Sequence, residues 1–251
     1  MCSRGLRYRR EDSFKLLPGR VLTDRSLIAV QAAGVAPQTF GEIASEIGIP
    51  DQLKAMFLTH LPAADVVGYG SETGDGGLIY KAYLEFWEKV RREVLAGSHE
   101  PALMYLGFKW YASDSSRNVV ARYTCYPMLD LAGLLRRIRA IYGAQVHAPS
   151  CGAALHLAEF ATRRKAAPIY LEVGEEGTAR RSYDINLYKA NLTLAEIEPV
   201  LLEAAARYAL PQERFAAFYS QLRKCVFGHL SGGFGRDGSD FLTVYYETAP
   251  P

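Results

Sequence analysis

Four strand-like runs in this chain put tyrosines and cations on one face. They are residues 80–86 (Tyr-Lys-Ala-Tyr-Leu-Glu-Phe), 120–126 (Val-Ala-Arg-Tyr-Thr-Cys-Tyr), 183–188 (Tyr-Asp-Ile-Asn-Leu-Tyr) and 241–246 (Phe-Leu-Thr-Val-Tyr-Tyr). Side chains on a strand alternate between its faces. Lys81, Tyr83 and Glu85 therefore oppose Ala82, Leu84 and Phe86, and Arg122, Thr124 and Tyr126 oppose Ala121, Tyr123 and Cys125. Asp184, Asn186 and Tyr188 oppose Tyr183, Ile185 and Leu187, and Thr243 and Tyr245 oppose Leu242 and Val244. The apolar faces suit packing under helices. The other faces, gathered around one space, would line a chamber in which cations hold anionic groups and tyrosine rings stabilise cationic ones.

Such a chamber needs elements to position it. Residues 66–71 and 78–86 read as a strand pair around the turn-rich 72–77. Residues 103–111 and 119–126 make a second pair, and 169–173 and 182–188 a third. Residues 226–230 and 241–246 make a fourth, turned by Arg236-Asp237-Gly238. Helical patterns lie between the pairs. One covers 40–57, one 87–96, and one runs to Tyr142 with Asp130 as cap and Gly143 as stop. Others cover 152–165, the stretch from the Thr193/Glu196 capping box to Leu210, and 212–224.

This order repeats at roughly 50 to 60 residues. The expected fold is α+β: an antiparallel β-barrel of repeated α-β-β-α units with helices outside and about eight strands. Closure removes the exposed edges of a sheet. One barrel domain of four units is expected over 39–251, preceded by a basic segment, 1–38, that is poorly ordered or covers an edge. The edges at 66–71 and 241–246 are expected to pair with each other. The other solutions are cover from residues 1–40 or burial in a homodimer.

Bulk properties narrow the function. The chain has 251 residues and a net charge of +2, which argues against a general nucleic-acid binder. Tyrosine is abundant, at 16, and several fall on the faces described above. The four cysteines form no CxxC pair and no Cys/His cluster has zinc-ligand spacing. The arginine-rich N-terminus has no apolar h-region, and no apolar run reaches membrane-spanning length. A reduced, cytoplasmic setting with no membrane contact is expected.

The order Lys81-x-Tyr83, Arg122-x-x-x-Tyr126, a lone Tyr188 and a closing Tyr245 resembles the aromatic prenyltransferases of the ABBA type. The nearest branch is that of the indole (dimethylallyltryptophan synthase-like) enzymes. The likeness covers about residues 60–248 and includes the final Phe227-Gly228-His229-Leu230-Ser231 hairpin strand. It implies a PT-barrel with a solvent-filled lumen. Thr124 stands where the family has lysine. The family has five units and about ten strands, and the motifs here match its last four. Its first unit supplies an acceptor-binding glutamate and a further diphosphate arginine. No full counterpart is legible in 1–38, although residues 26–35 suit one strand, so the N-terminal unit is expected to be missing or reduced.

The resemblance implies transfer of an allylic (prenyl) group from its diphosphate to an electron-rich, indole-like aromatic acceptor, a reaction of secondary metabolism and alkaloid biosynthesis. Dimethylallyl diphosphate is a donor of this kind. Lys81, Arg122 and Lys109 would grip the diphosphate, with Thr124 and Asn186 on the same faces. Tyr83, Tyr126, Tyr188 and Tyr245 would shield the allylic cation from water. Glu85, Glu172 and His229 are candidate bases for the last proton. No Asp-Asp-x-x-Asp motif occurs, so neither Mg2+ nor another cofactor is expected. Plain alternatives stand beside these roles. Lys81, Glu85 and Lys109 suit a solvated outer face, the tyrosines suit any strand, and the candidate bases suit ion pairs. The alternative function is a catalytically inactive barrel that binds a hydrophobic or aromatic small molecule. A helix-covered sheet that binds protein is a third reading.

Overall fold

The computed structural model describes residues 4–74 and 76–248. The chain begins with β1 (Arg9–Leu17), β2 (Arg20–Leu22) and β3 (Arg25–Gln31), followed by α1 (Pro37–Glu46) and α2 (Asp51–His60). Then come β4 (Val66–Gly74), β5 (Gly77–Glu85), α3 (Trp87–Leu95), β6 (Ala102–Tyr111) and β7 (Asp114–Cys125). After α4 (Leu131–Tyr142) and α5 (Pro149–Arg163) lie β8 (Ile169–Glu175) and β9 (Arg181–Asn186). Helices α6 (Leu194–Arg207) and α7 (Gln212–Ser220) lead to β10 (Val226–Phe234) and β11 (Asp240–Glu247).

Every neighbouring pair from β3 to β11 is antiparallel, and β1 pairs with both β3 and β11. The sheet is therefore a closed barrel of ten strands, with the short β2 appended to the end of β1. This corrects the expected eight strands and the expected missing unit. Residues 9–31 are not a loose tail; they cover both expected edges, as the second solution had it, by pairing with β11 and β4. They supply the first strand pair and fill the gap between β4 and β11, so the two expected edges do not meet directly. The pattern of β1 explains why it escapes notice. Only Phe14 and Leu16 mark its apolar face, whereas Arg9, Glu11, Ser13 and Lys15 form the other.

The main core lies between barrel and helices, and a smaller apolar cluster of Ala121, Tyr123, Cys125, Leu171 and Val173 with Val90 of α3 fills part of the barrel interior. Phe14 and Leu16 are fully buried on the outer face. Phe14 meets Phe218 of α7 edge-to-face at 5.4 Å and Tyr219 at 6.1 Å. Each such side chain contributes about 1.5–3 kcal/mol by leaving water. Asp130 caps α4 by accepting from the Gly133 amide at 2.7 Å, and the Thr193/Glu196 capping box opens α6. The expected helix over 40–57 is two helices, because Gly48 adopts φ +73° and Pro50 starts α2. Among the described residues, no helix is long and apolar enough to cross a membrane.

Candidate active site in the barrel lumen

Packing the apolar faces outward turns the polar faces inward, and cross-strand register shows which side chains meet. Lys81 lies opposite Gly70 of β4 and Lys109 of β6. Tyr83 lies between Gly68 and Gly107, and Glu85 between Val66 and Tyr105. Lys81 and Glu85 are four residues apart, about 13 Å along the strand. The other strands run through the same sequence of layers: Arg25 to Gln31 on β3, Lys15 to Glu11 on β1, and Ser231 to His229 on β10.

One end of the lumen is cationic. Lys81 Nζ lies 2.5 Å from Glu72, which also pairs with Arg25. Glu175 is held by Lys109 at 2.7 Å and by Arg180 and Arg236 at 2.6 Å each. Lys15 lies over the Phe241 ring at 4.3 Å. Burial pushes Lys81 and Lys15 down to about 7, with the neighbouring Arg25 adding to the effect, and it pushes Lys109 down to about 8. Burial alone would raise Glu72 and Glu175, but the surrounding cations hold both far below the ordinary carboxylate range. Among the described residues three arginines and three lysines gather around Glu72 and Glu175 here, and the arginines alone outnumber the two carboxylates, so this end carries surplus positive charge. Arg25 keeps 8% and Arg180 13% side-chain exposure, so both guanidinium groups are nearly buried and lean on the carboxylates beside them.

Tyrosines ring the middle. Tyr83 meets Tyr123 edge-to-face at 6.1 Å, and Tyr105 lies 5.6 Å from Tyr123. Gly107 makes room for this belt. A Cβ there would stand 2.8 Å from the Tyr83 ring. Gly107→Ala is expected to push that ring aside and to cost about 1–3 kcal/mol through overpacking, measurable by thermal denaturation. Tyr245 completes the belt and stacks on His229 at 3.9 Å with an interplanar angle of 9°.

The opposite end is acidic. His229 Nδ1 lies 2.8 Å from Asp184 and Nε2 lies 3.6 Å from Glu11. Tyr188 donates its hydroxyl to Glu11. Burial would lower His229, but Asp184 and Glu11 outweigh it and raise the imidazole to about 10. Burial would likewise raise Glu11. Its hydrogen bond to His229, the charge on that ring and the Tyr188 hydroxyl hold it below its usual value. Glu11 is thus an ionised acceptor next to a protonated imidazole. Glu85 accepts from the Trp87 indole at 3.1 Å. Helix α3 reaches this end, where Val90 joins a cluster with Cys125, Leu171 and Tyr123.

Of the residues read from the sequence, Lys81, Tyr83, Glu85, Lys109, Asn186, His229 and Tyr245 lie on the lumen face, and Tyr188 meets that face through Glu11. Four do not. Arg122, Thr124 and Tyr126 point outward, because β7 presents Ala121, Tyr123 and Cys125 to the lumen. Arg122 is 52% exposed and pairs with Glu176 at 2.9 Å. Tyr126 stacks under Arg137 at 3.5 Å, and Arg137 in turn pairs with Glu172 at 2.9 Å on the outer surface. Thr124 and Glu172 are cross-strand partners there. The strand's two faces are similar in polarity, and inverting the facing of a strand moves its whole set of side chains. Asp184, read from alternation on the polar face of its strand, also faces the lumen; Glu11, Arg25, Glu72, Tyr105, Tyr123, Glu175 and Arg180 are lumen residues that the motifs did not single out.

The closed ten-stranded antiparallel barrel with helices outside is that of the PT-barrel. The chain superposes on 6-dimethylallyltryptophan synthase from Micromonospora olivasterospora, solved in complex with DMASPP and Trp, with TM-score 0.55 and 14% identity over 97% of this chain and 84% of that one. A further structure of a 6-dimethylallyl tryptophan synthase gives TM-score 0.55 and 15% identity over 97% and 83%. NotF prenyltransferase gives TM-score 0.50 and 11% identity over 96% and 81%. No family model matches the sequence, and no curated protein matches it. The chain shares the fold of aromatic prenyltransferases of the ABBA type.

Proposed function

We propose that this protein is an aromatic prenyltransferase that moves an allylic group from its diphosphate to an electron-rich, indole-like acceptor without a metal. The observation that carries this reading is the order of groups in the lumen: cations, then tyrosines, then a buried carboxylate–imidazole set.

The diphosphate would sit among Arg25, Lys81, Lys109 and Arg180. There the C–O bond breaks and its electron pair leaves with the diphosphate, and fixed cations stabilise that developing charge. The allylic cation would lie against Tyr83, Tyr105, Tyr123 and Tyr245, whose ring faces stabilise it and exclude water. An aromatic carbon of the acceptor attacks, and a C–C bond forms. Glu11 then takes the ring proton, with His229 and Asp184 orienting it. Glu11 and Arg25 fill the roles that the family resemblance gives to the first unit.

The test is incubation with dimethylallyl diphosphate and a panel of indoles, with products read by mass spectrometry, with and without EDTA. Prenylated product in both arms supports the reading. Diphosphate binding without transfer to any acceptor favours the inactive-barrel alternative. Tyr83→Phe should be mild, whereas Tyr83→Ala should divert turnover to prenyl alcohol. Equal damage from both would place the role on the hydroxyl. A polyanion should reprotonate Lys81, Lys15 and Lys109, so binding takes up protons between about pH 7 and 8. Affinity should therefore fall as pH rises through that window, which calorimetry in buffers of different ionisation enthalpy measures.

A further inference from the structure

Glu85 stands apart from the other acids of the lumen. Glu72 and Glu175 each meet two or more cations, and Glu11 and Asp184 share His229. Among the described residues no cation pairs with Glu85, and the Trp87 indole is its one side-chain donor. Burial, with Glu11 adding to it, pushes its carboxyl up to about 7, which is the cost of a buried charge that lacks compensation.

A cavity of about 550 Å³ opens at the barrel rim, within the usual range for a small-molecule site; Glu85 does not line it but is the neighbour of three residues that do. Its walls include Val35, Phe40, Leu61 and Trp87, and its only charged lining residues are Asp65 and Glu88. Three contacts join this cavity to Glu85: the Trp87 side chain, cross-strand pairing with Val66, and the Asp65 amide, which donates to the Glu85 carbonyl at 2.8 Å. The charged groups between the rim and the tyrosine belt are acidic, Asp65, Glu88, Glu85, Glu11 and Asp184, and Trp87 packs against Tyr105 at 6.3 Å between them. Against these stand Arg9, which is exposed at the start of β1, and His229, which two carboxylates already engage.

We infer that the acceptor is an aromatic amine, cationic at neutral pH and without a free carboxylate, whose ammonium pairs with Glu85 while its ring reaches the tyrosine belt. This rests on the prenyltransferase reading for the ring's position, but not for the charge preference. An ammonium would supply the cation that Glu85 lacks, and a carboxylate in the same place would meet like charge.

The experiment is titration of tryptamine, tryptophan and indole-3-propionate into the protein saturated with dimethylallyl thiolodiphosphate, followed by calorimetry or Trp fluorescence. Tryptamine should bind at least about tenfold more tightly than indole-3-propionate, a difference of about 1.4 kcal/mol, with tryptophan between them. Glu85→Gln should erase the difference and Glu85→Asp should retain part of it, with melting curves confirming that both variants fold. Equal or tighter binding of the acid, an amine preference that survives Glu85→Gln, or binding of none of the three overturns the inference. Glu85-dependent amine binding, with no prenylated product when dimethylallyl diphosphate replaces the analogue, would instead sink the transfer reading and leave the charge preference standing.

Discussion

Replacing Arg25 and Lys81 together with alanine is expected to weaken binding of a dimethylallyl thiolodiphosphate by at least about 100-fold. Each charge-assisted hydrogen bond to the anion is worth about 1.5–3 kcal/mol, and about 1.4 kcal/mol is a factor of ten. Both side chains converge on Glu72 in the free protein, so both are already aimed into one space. Their removal strands a buried carboxylate, which is itself destabilising. The pair is therefore also to be replaced in a Glu72→Gln background, where no charge is left unpaired, with circular dichroism checking the fold. Arg122→Ala is the control. Its guanidinium lies on the outer surface against Glu176, so affinity should not change. Calorimetry decides. Loss of binding in Arg122→Ala, or unchanged binding in the double variant, would relocate the anion site.

Glu11→Gln should lower kcat by about 100- to 10,000-fold, the usual worth of a positioned general base. Gln keeps the volume and can accept from Tyr188, but it cannot take the proton that restores aromaticity. Affinity for the diphosphate analogue should hold, because Glu11 lies at the opposite end of the lumen from Lys81 and Lys109. Single-turnover kinetics should show donor consumed and prenyl alcohol released in place of transfer product. Turnover close to that of the unaltered protein would mean that another group, with Asp184 or His229 nearest, accepts the proton.

Sequence and structure agree where a strand has one plainly apolar face. In β5, Ala82 and Leu84 are fully buried on the outer face and Lys81, Tyr83 and Glu85 face the lumen, so alternation alone identifies the site residues. They part where that contrast fades. In β7, Tyr123 and Cys125 on one face and Tyr126 and Thr124 on the other are comparable in polarity. The family motif favoured the face with Arg122, but the lumen takes Ala121 and Tyr123. In β1, charged residues at the start of the strand occur on both faces, so only Phe14 and Leu16 betray it. Missing that strand hid Glu11, and with it the first unit of the barrel. Glu72 and Arg180 were illegible for another reason. They flank turns rich in glycine or polar residues, and only closure of the barrel brings them beside Lys81 and Lys109.

The most direct test of the account is a crystal structure with dimethylallyl thiolodiphosphate bound. Diphosphate oxygens are expected within hydrogen-bond distance of Arg25, Lys81, Lys109 and Arg180, with the allylic tail among Tyr83, Tyr105, Tyr123 and Tyr245. An analogue bound outside the barrel, or lying with its diphosphate at Glu11 and His229, would contradict it.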